Sequence, residues 1–114
     1  MEIAEMYKEV GGDFSDAMVR LGNEERIKKF ALMFPRDDSM QNLRKAISDG
    51  DIKASFQAVH TLKGVAGNLS FTALYQAASD LTEQLRPLEE PADPALFEKV
   101  DEVYTKTIDA LNQL

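Results

Sequence analysis

Apolar residues recur every three or four positions along most of the chain, and this spacing constrains the fold more than any other feature. The clearest run comprises Phe71, Leu74, Ala78, Leu81, Leu85 and Leu88. Such spacing places the apolar side chains on one face of an α-helix. No segment alternates apolar and polar residues over the length of a strand. The sequence therefore predicts an all-α protein.

Glycines, one proline and capping side chains divide this pattern into separate helices. Gly22 and Gly50 are positioned to end helices, whereas Pro35 breaks or kinks one. Asn23 and Asp51 can cap the helices that follow them. The predicted elements are short N-terminal helices within 2–21 and helices at about 23–34, 37–49, 51–68, 71–86 and 93–113. Long amphipathic helices with short connections predict a single domain, an antiparallel up-down-up-down four-helix bundle with the short N-terminal helices packed on it.

The only histidine of the chain, His60, lies beside the apolar face of its helix. Val59 and Leu62 occupy that face, so packing does not require the imidazole. We therefore expect His60 to be exposed on the middle of the helix. Lys63 follows one turn later on the same side, where its ammonium could stabilise an anion at the ring. The alternative interpretation of Lys63 is an ordinary solvated lysine.

Two glycines follow His60 on the same side of the predicted helix, at Gly64 and Gly67. Each interior glycine costs about 1 kcal/mol of helix stability relative to alanine. Close access of another molecule to His60 would explain both, and tight helix packing is the alternative. Both glycines lie away from the apolar face, which favours access.

Three further residues border the face of His60 and are candidates for a docking rim. Phe56 and Gln57 lie one turn before His60, and Lys53 lies about two turns before it. Core packing is the alternative for Phe56, and simple solvation is the alternative for Lys53.

Composition excludes several classes of function. The absence of cysteine excludes disulfides, thiolate catalysis and cysteine-ligated zinc, and a single histidine leaves only scattered carboxylates for a metal. A net charge of −7 makes nucleic acid and anionic membrane surfaces poor partners. No apolar run approaches the roughly 20 residues of a membrane span, and the N-terminus lacks the features of a secretory signal. We expect a cytoplasmic protein.

Sequence motifs also argue against an enzyme with its own nucleotide or acyl chemistry. The chain has no G-x-S-x-G element, and its glycines lack the G-x-x-x-x-G-K-[ST] spacing of a phosphate-binding loop. No ATP site is therefore visible in the sequence.

The stretch that contains His60 resembles the signature of histidine-containing phosphotransfer (HPt) domains of bacterial and fungal phosphorelays. The matching positions are His60, Leu62, Lys63, Gly64, Ala66, Gly67, Asn68 and Leu69. The resemblance covers most of the chain and implies the same helical-bundle fold. Ser70 departs from the pattern, because the family usually has glycine there. This departure concerns the shape of the turn rather than the chemistry.

The resemblance implies a phosphoryl carrier. His60 would accept a phosphoryl group through Nε2 from an aspartyl phosphate on a receiver domain and pass it to another receiver. The implied partners are response-regulator receiver domains and a hybrid histidine kinase, with magnesium on the receiver and no cofactor in this chain. We expect a monomer. The alternative is a helical-bundle adaptor that binds receiver or kinase domains without transfer.

Two points stay open in the comparison with the HPt pattern. Many members carry a Gln or Glu on the following helix that hydrogen-bonds the histidine ring, and the matching position here is Thr82. The Thr82 hydroxyl, the neighbouring Glu83 or no residue at all could orient the ring. The initial Met1 fits a free-standing protein, although an excised domain of a hybrid kinase would look the same.

Overall fold

The computed structural model describes all residues from 1 to 114 and contains only helices. The elements are α1 (Ile3–Glu9), α2 (Phe14–Leu21), α3 (Glu24–Met33), a 3₁₀-helix (Phe34–Arg36), α4 (Ser39–Ser48), α5 (Ile52–Asn68), α6 (Thr72–Leu85) and α7 (Pro94–Leu111). The prediction of an all-α protein is confirmed. The bounds predicted for α3 to α7 differ from the observed ones by at most two residues.

The helix ends follow from local side-chain chemistry. Asn23 accepts a hydrogen bond from the Arg26 amide at 2.8 Å, and Asp51 accepts one from the Ala54 amide at 2.9 Å. Both residues therefore cap α3 and α5 as the sequence indicates. After α2, Gly22 has a φ of 95°, a conformation that side chains rarely adopt.

Consecutive helices of the C-terminal part pack against each other. α4 packs on α5, α5 on α6, and α6 on α7. The α5 residues Val59, Leu62 and Ala66 are completely buried, so the predicted apolar face is the core face of the helix. Because this face is turned inward, the opposite side of α5 is available to solvent. None of the helices is both long and apolar enough to cross a membrane.

The N-terminal helices hold the turn that connects α5 to α6. The Tyr7 hydroxyl donates to the Leu69 carbonyl at 2.7 Å, and the Asp13 amide donates to the Ser70 carbonyl at 2.9 Å. Tyr7 is fully buried, and this burial raises the pKa of its phenol. These bonds fix the C-terminal end of α5, the helix that carries His60.

Candidate functional site

His60 lies in the middle of α5 and is exposed. The ring of Phe56, one turn earlier, lies with its centroid 5.7 Å from that of the imidazole and is tilted by 33°. The neighbouring Thr61 hydroxyl is occupied, because it donates to the Gln57 carbonyl at 3.0 Å. The imidazole therefore contacts the Phe56 ring on one side, and its exposed side is open to an incoming molecule.

Gly64 leaves free space one turn after His60. A Cβ atom placed on Gly64 would meet no atom within 4 Å. Packing therefore gives no reason for glycine at this position. The open surface is consistent with the expected access role.

Gly67 lies in a different environment. A Cβ atom on Gly67 would lie 3.1 Å from Cδ1 and 3.3 Å from Cε1 of Tyr75 on α6. The glycine allows the Tyr75 ring to pack closely against α5. The expectation that Gly67 serves access is therefore corrected: close packing with Tyr75 explains this glycine.

Lys63 is half-buried and contacts the same tyrosine. Its Nζ lies 5.7 Å from the centroid of the Tyr75 ring, within the range of a cation–π interaction. The ammonium is consequently held near α6, one turn from His60, without an ion-pair partner.

Thr82 does not fit the ring-orienting role that the HPt pattern suggested for its position. Its side chain is completely buried, and its hydroxyl donates to the Ala78 carbonyl at 2.7 Å. The exposed Glu83 lies on the side of α6 that faces the site. An ion pair with Arg86, at 2.8 and 3.1 Å, lowers the pKa of Glu83 below its usual range, and the charges of Lys63 and His60 act in the same direction.

The candidate rim residues have different surroundings. Phe56 is half-buried, packs against the core and also carries the Arg86 guanidinium 5.4 Å from its ring centroid. Phe56 therefore contributes to the core and to the rim. Gln57 and Lys53 are exposed.

A polar cluster that the sequence did not reveal supports the turn after α5. Ser70 adopts a φ of 57°, in the region where glycine is favoured. Its hydroxyl donates to Asp16 Oδ2 of α2 at 2.7 Å, and the same oxygen accepts from Nε of Arg20 at 2.7 Å. These bonds, that with Arg20 first, lower the pKa of Asp16. The turn keeps the backbone shape that glycine would give, because a residue 54 positions away stabilises it.

Two grooves flank the C-terminal half of α5. A polar groove of about 460 Å³ is lined by residues that include Arg20, Lys63, Gly64, Gly67, Asn68 and Tyr75. A larger groove of about 790 Å³ is more apolar and includes Leu21, Phe30, Met33, Phe34, Val65 and Leu69. Arg20 and Asn68 border both grooves. No group of three or more histidine or acidic side chains is arranged to hold a metal ion.

Comparison with known proteins gives one match. A family model described as "Hpt domain" matches residues 37–114, which include α4 to α7 and therefore His60. Searches of curated proteins and of solved structures found no match. The match confirms the resemblance that the residues around His60 carry.

Proposed function

This chain belongs to the Hpt domain family, and on that premise we propose that His60 is the phosphoryl-accepting residue of a carrier between receiver domains. Domains of this family take part in phosphorelay phosphotransfer and interact with receiver domains and histidine kinases. The observation that carries the assignment to His60 is its exposure beside the free space at Gly64.

The proposed reaction is a direct transfer from oxygen to nitrogen. The lone pair of His60 Nε2 attacks the phosphorus of an aspartyl phosphate on the receiver domain. The N–P bond forms as the P–O bond to the aspartate breaks, and the electron pair of that bond returns to the carboxylate. An imidazole nitrogen is a suitable nucleophile near neutral pH, and the return reaction regenerates it.

Charge compensation comes from both partners in this proposal. Lys63, one turn from His60, supplies an ammonium that offsets the charge of the phosphoryl oxygens. Magnesium is bound by the receiver domain, which provides most of the machinery of transfer. Glu83, rather than Thr82, is proposed to orient the imidazole, because Glu83 is exposed whereas the Thr82 hydroxyl is buried and donates to the Ala78 carbonyl.

We propose that α4 to α7 form an antiparallel up-down-up-down bundle and that the protein acts as a cytoplasmic monomer. The docking surface surrounds His60 and includes Gly64, with Phe56, Gln57 and Lys53 on its rim.

The decisive experiment compares the parent with His60→Gln in the presence of phosphorylated receiver domains. The parent should acquire label that is lost in acid and retained in base, as expected for phosphohistidine. His60→Gln should acquire none, because the chain has no other histidine. Thermal denaturation should be nearly unchanged, since the exposed ring contributes little to packing.

Two results would contradict the proposal. Equal labelling of His60→Gln would place the phosphoryl group elsewhere. A receiver that binds the parent tightly without labelling it would favour the non-catalytic adaptor.

A further inference from the structure

We propose that Arg20 is a specificity-determining residue that pairs with a carboxylate of the receiver domain docked over His60. This inference rests on the proposed function, and it concerns α2, which lies outside the residues matched by the family model. Arg20 extends the recognition surface beyond the helix that carries the nucleophile.

Arg20 lies beside the C-terminal half of α5, where it borders both grooves. Arg20 borders the polar groove together with Lys63 and Gly64. It also borders the apolar groove together with Val65. A partner that enters either groove from the side of His60 can therefore contact the guanidinium.

The guanidinium is fixed, but its outer donors are free. Nε donates to Asp16 Oδ2, and Asp16 is tied to the α5–α6 turn through the Ser70 hydroxyl. No residue of the chain accepts a hydrogen bond from the two Nη groups of Arg20. Because one edge of the fork is already held, little conformational entropy is lost when the other edge binds a planar carboxylate.

The polar groove carries charges of both signs, because Asp13 and Asp16 line it together with Arg20 and Lys63. Asp13 already accepts from the Asp16 amide at 2.9 Å, and Asp16 accepts from Arg20 and Ser70. The Arg20 Nη groups and the Lys63 ammonium have no such acceptor. Arg20 and Lys63 are therefore the groups of this groove with which an acidic side chain of the partner can pair.

Desolvation gives this arrangement its selectivity. Covering free guanidinium donors without supplying an acceptor is unfavourable, whereas a carboxylate can form charge-assisted hydrogen bonds with them. Receivers with an acidic side chain at this point are favoured, and receivers with an apolar or basic side chain are rejected. Arg20 acts on docking and takes no part in the chemical step.

The test begins with a panel of phosphorylated receiver domains, from which the receiver that labels the parent fastest is chosen. With that receiver, Arg20→Gln should raise the half-saturating receiver concentration about fivefold to tenfold and leave the maximal rate of transfer unchanged. Arg20→Lys should recover part of the loss. Lys106→Gln, the same change of charge at an exposed position on α7, should stay within about twofold of the parent.

Two controls separate docking from a structural effect. Phosphoramidate, a small donor that requires no docking, should label His60 equally in the parent and in Arg20→Gln. Ser70→Gly removes the tether to Asp16 but suits the φ of 57° and retains the charge of Arg20. It should change the half-saturating concentration by less than about twofold. If Ser70→Gly and Arg20→Gln have equal effects, or if Arg20→Gln loses phosphoramidate labelling, Arg20 only braces the turn and the inference is wrong.

A charge exchange identifies the partner group. Arg20→Glu should slow labelling by the chosen receiver more than Arg20→Gln does, and one Asp→Lys or Glu→Lys change on that receiver should restore it. Absence of any restoring position would overturn the inference. Unchanged saturation in Arg20→Gln would also overturn it while leaving the proposed function intact. If no receiver labels the parent, the proposed function fails and this inference fails with it.

Discussion

The two ends of the outward face of α5 have the same kind of sequence but different surroundings. We call His60–Gly64 the open turn and Gly67–Ser70 the closed end. At the open turn, a Cβ atom on Gly64 would meet nothing within 4 Å. At the closed end, Gly67 lies under the Tyr75 ring, and hydrogen bonds from Tyr7 and to Asp16 fix the turn that follows.

This difference separates reaction from positioning within one helix. A nucleophile that must meet another protein needs free space around it, and neighbouring side chains would obstruct a partner there. The orientation of α5 must nevertheless be fixed. Tertiary contacts at the closed end, about two turns from His60, do this. The open turn should therefore respond to mutation mainly through transfer, and the closed end mainly through stability.

Gly64→Gln tests the open turn and should have the largest effect of the four changes considered. A long side chain one turn from His60 would obstruct the receiver, and we expect transfer to slow by about 10-fold to 100-fold. The free energy of unfolding should stay equal or rise by up to about 1 kcal/mol, because glycine leaves a helix. Rapid-quench transfer assays and urea denaturation measure the two effects. Gly64→Ala, which adds only one carbon, should transfer nearly as well as the parent; strong destabilisation with normal transfer would reverse the interpretation.

Tyr7→Phe tests the closed end. The change removes the buried hydrogen bond to the Leu69 carbonyl, and we expect the free energy of unfolding to fall by about 1 to 2 kcal/mol. Transfer per folded molecule should be unchanged. Tyr75→Phe is the matched control, since that tyrosine is 38% exposed, and its stability should stay near that of the parent. A slower transfer in folded Tyr7→Phe would show that the closed end also tunes His60.

Lys63→Ala tests the residue that connects the two regions. Its ammonium contacts Tyr75, the residue that covers Gly67 at the closed end. Its proposed role nevertheless concerns the phosphoryl group at the open turn. Loss of one partly exposed charge should slow transfer or shorten the phosphohistidine lifetime about fivefold to tenfold, equivalent to about 1 kcal/mol. Added salt should reduce the difference from the parent. Lys106→Ala, at an exposed position on α7 outside the docking surface, should remain within about twofold. Equal behaviour of the two variants would make Lys63 an ordinary solvated lysine.

The open turn could be predicted from the sequence, whereas the closed end could not. Periodicity identified the core face of α5, and the face left over carries His60 and Gly64. These inferences need only the geometry of one helix. The role of Gly67 depends on the position of Tyr75 on another helix, and the shape at Ser70 depends on Asp16, 54 residues earlier.

The same limit explains why the sequence left the ring-orienting residue open between Thr82, Glu83 and none. Counting residues from His60 to the next helix indicated the right level of α6 but not which side of the helix faces the site. One position further along the helix turns a side chain by about 100°. Thr82 consequently enters the core, whereas Glu83 remains exposed on the side of His60.

Gly67→Ala should have the smallest effect, because two opposing contributions nearly cancel. Replacing glycine in a helix stabilises it by about 1 kcal/mol, but the new Cβ would lie 3.1 Å from a ring carbon of Tyr75 and push the ring aside by a few tenths of an ångström. We expect a change of less than about 0.5 kcal/mol in the free energy of unfolding and little change in transfer.

A double-mutant cycle can expose the cancellation at Gly67. In a Tyr75→Ala background the ring is absent, so Gly67→Ala should show the full gain of about 1 kcal/mol in urea denaturation. Gly64→Ala should give the same gain with or without the ring, because nothing lies near its Cβ. The two glycines would then differ only in their energetic coupling to Tyr75. This coupling is what distinguishes the closed end from the open turn. Equal coupling at both positions would remove the distinction between the open turn and the closed end.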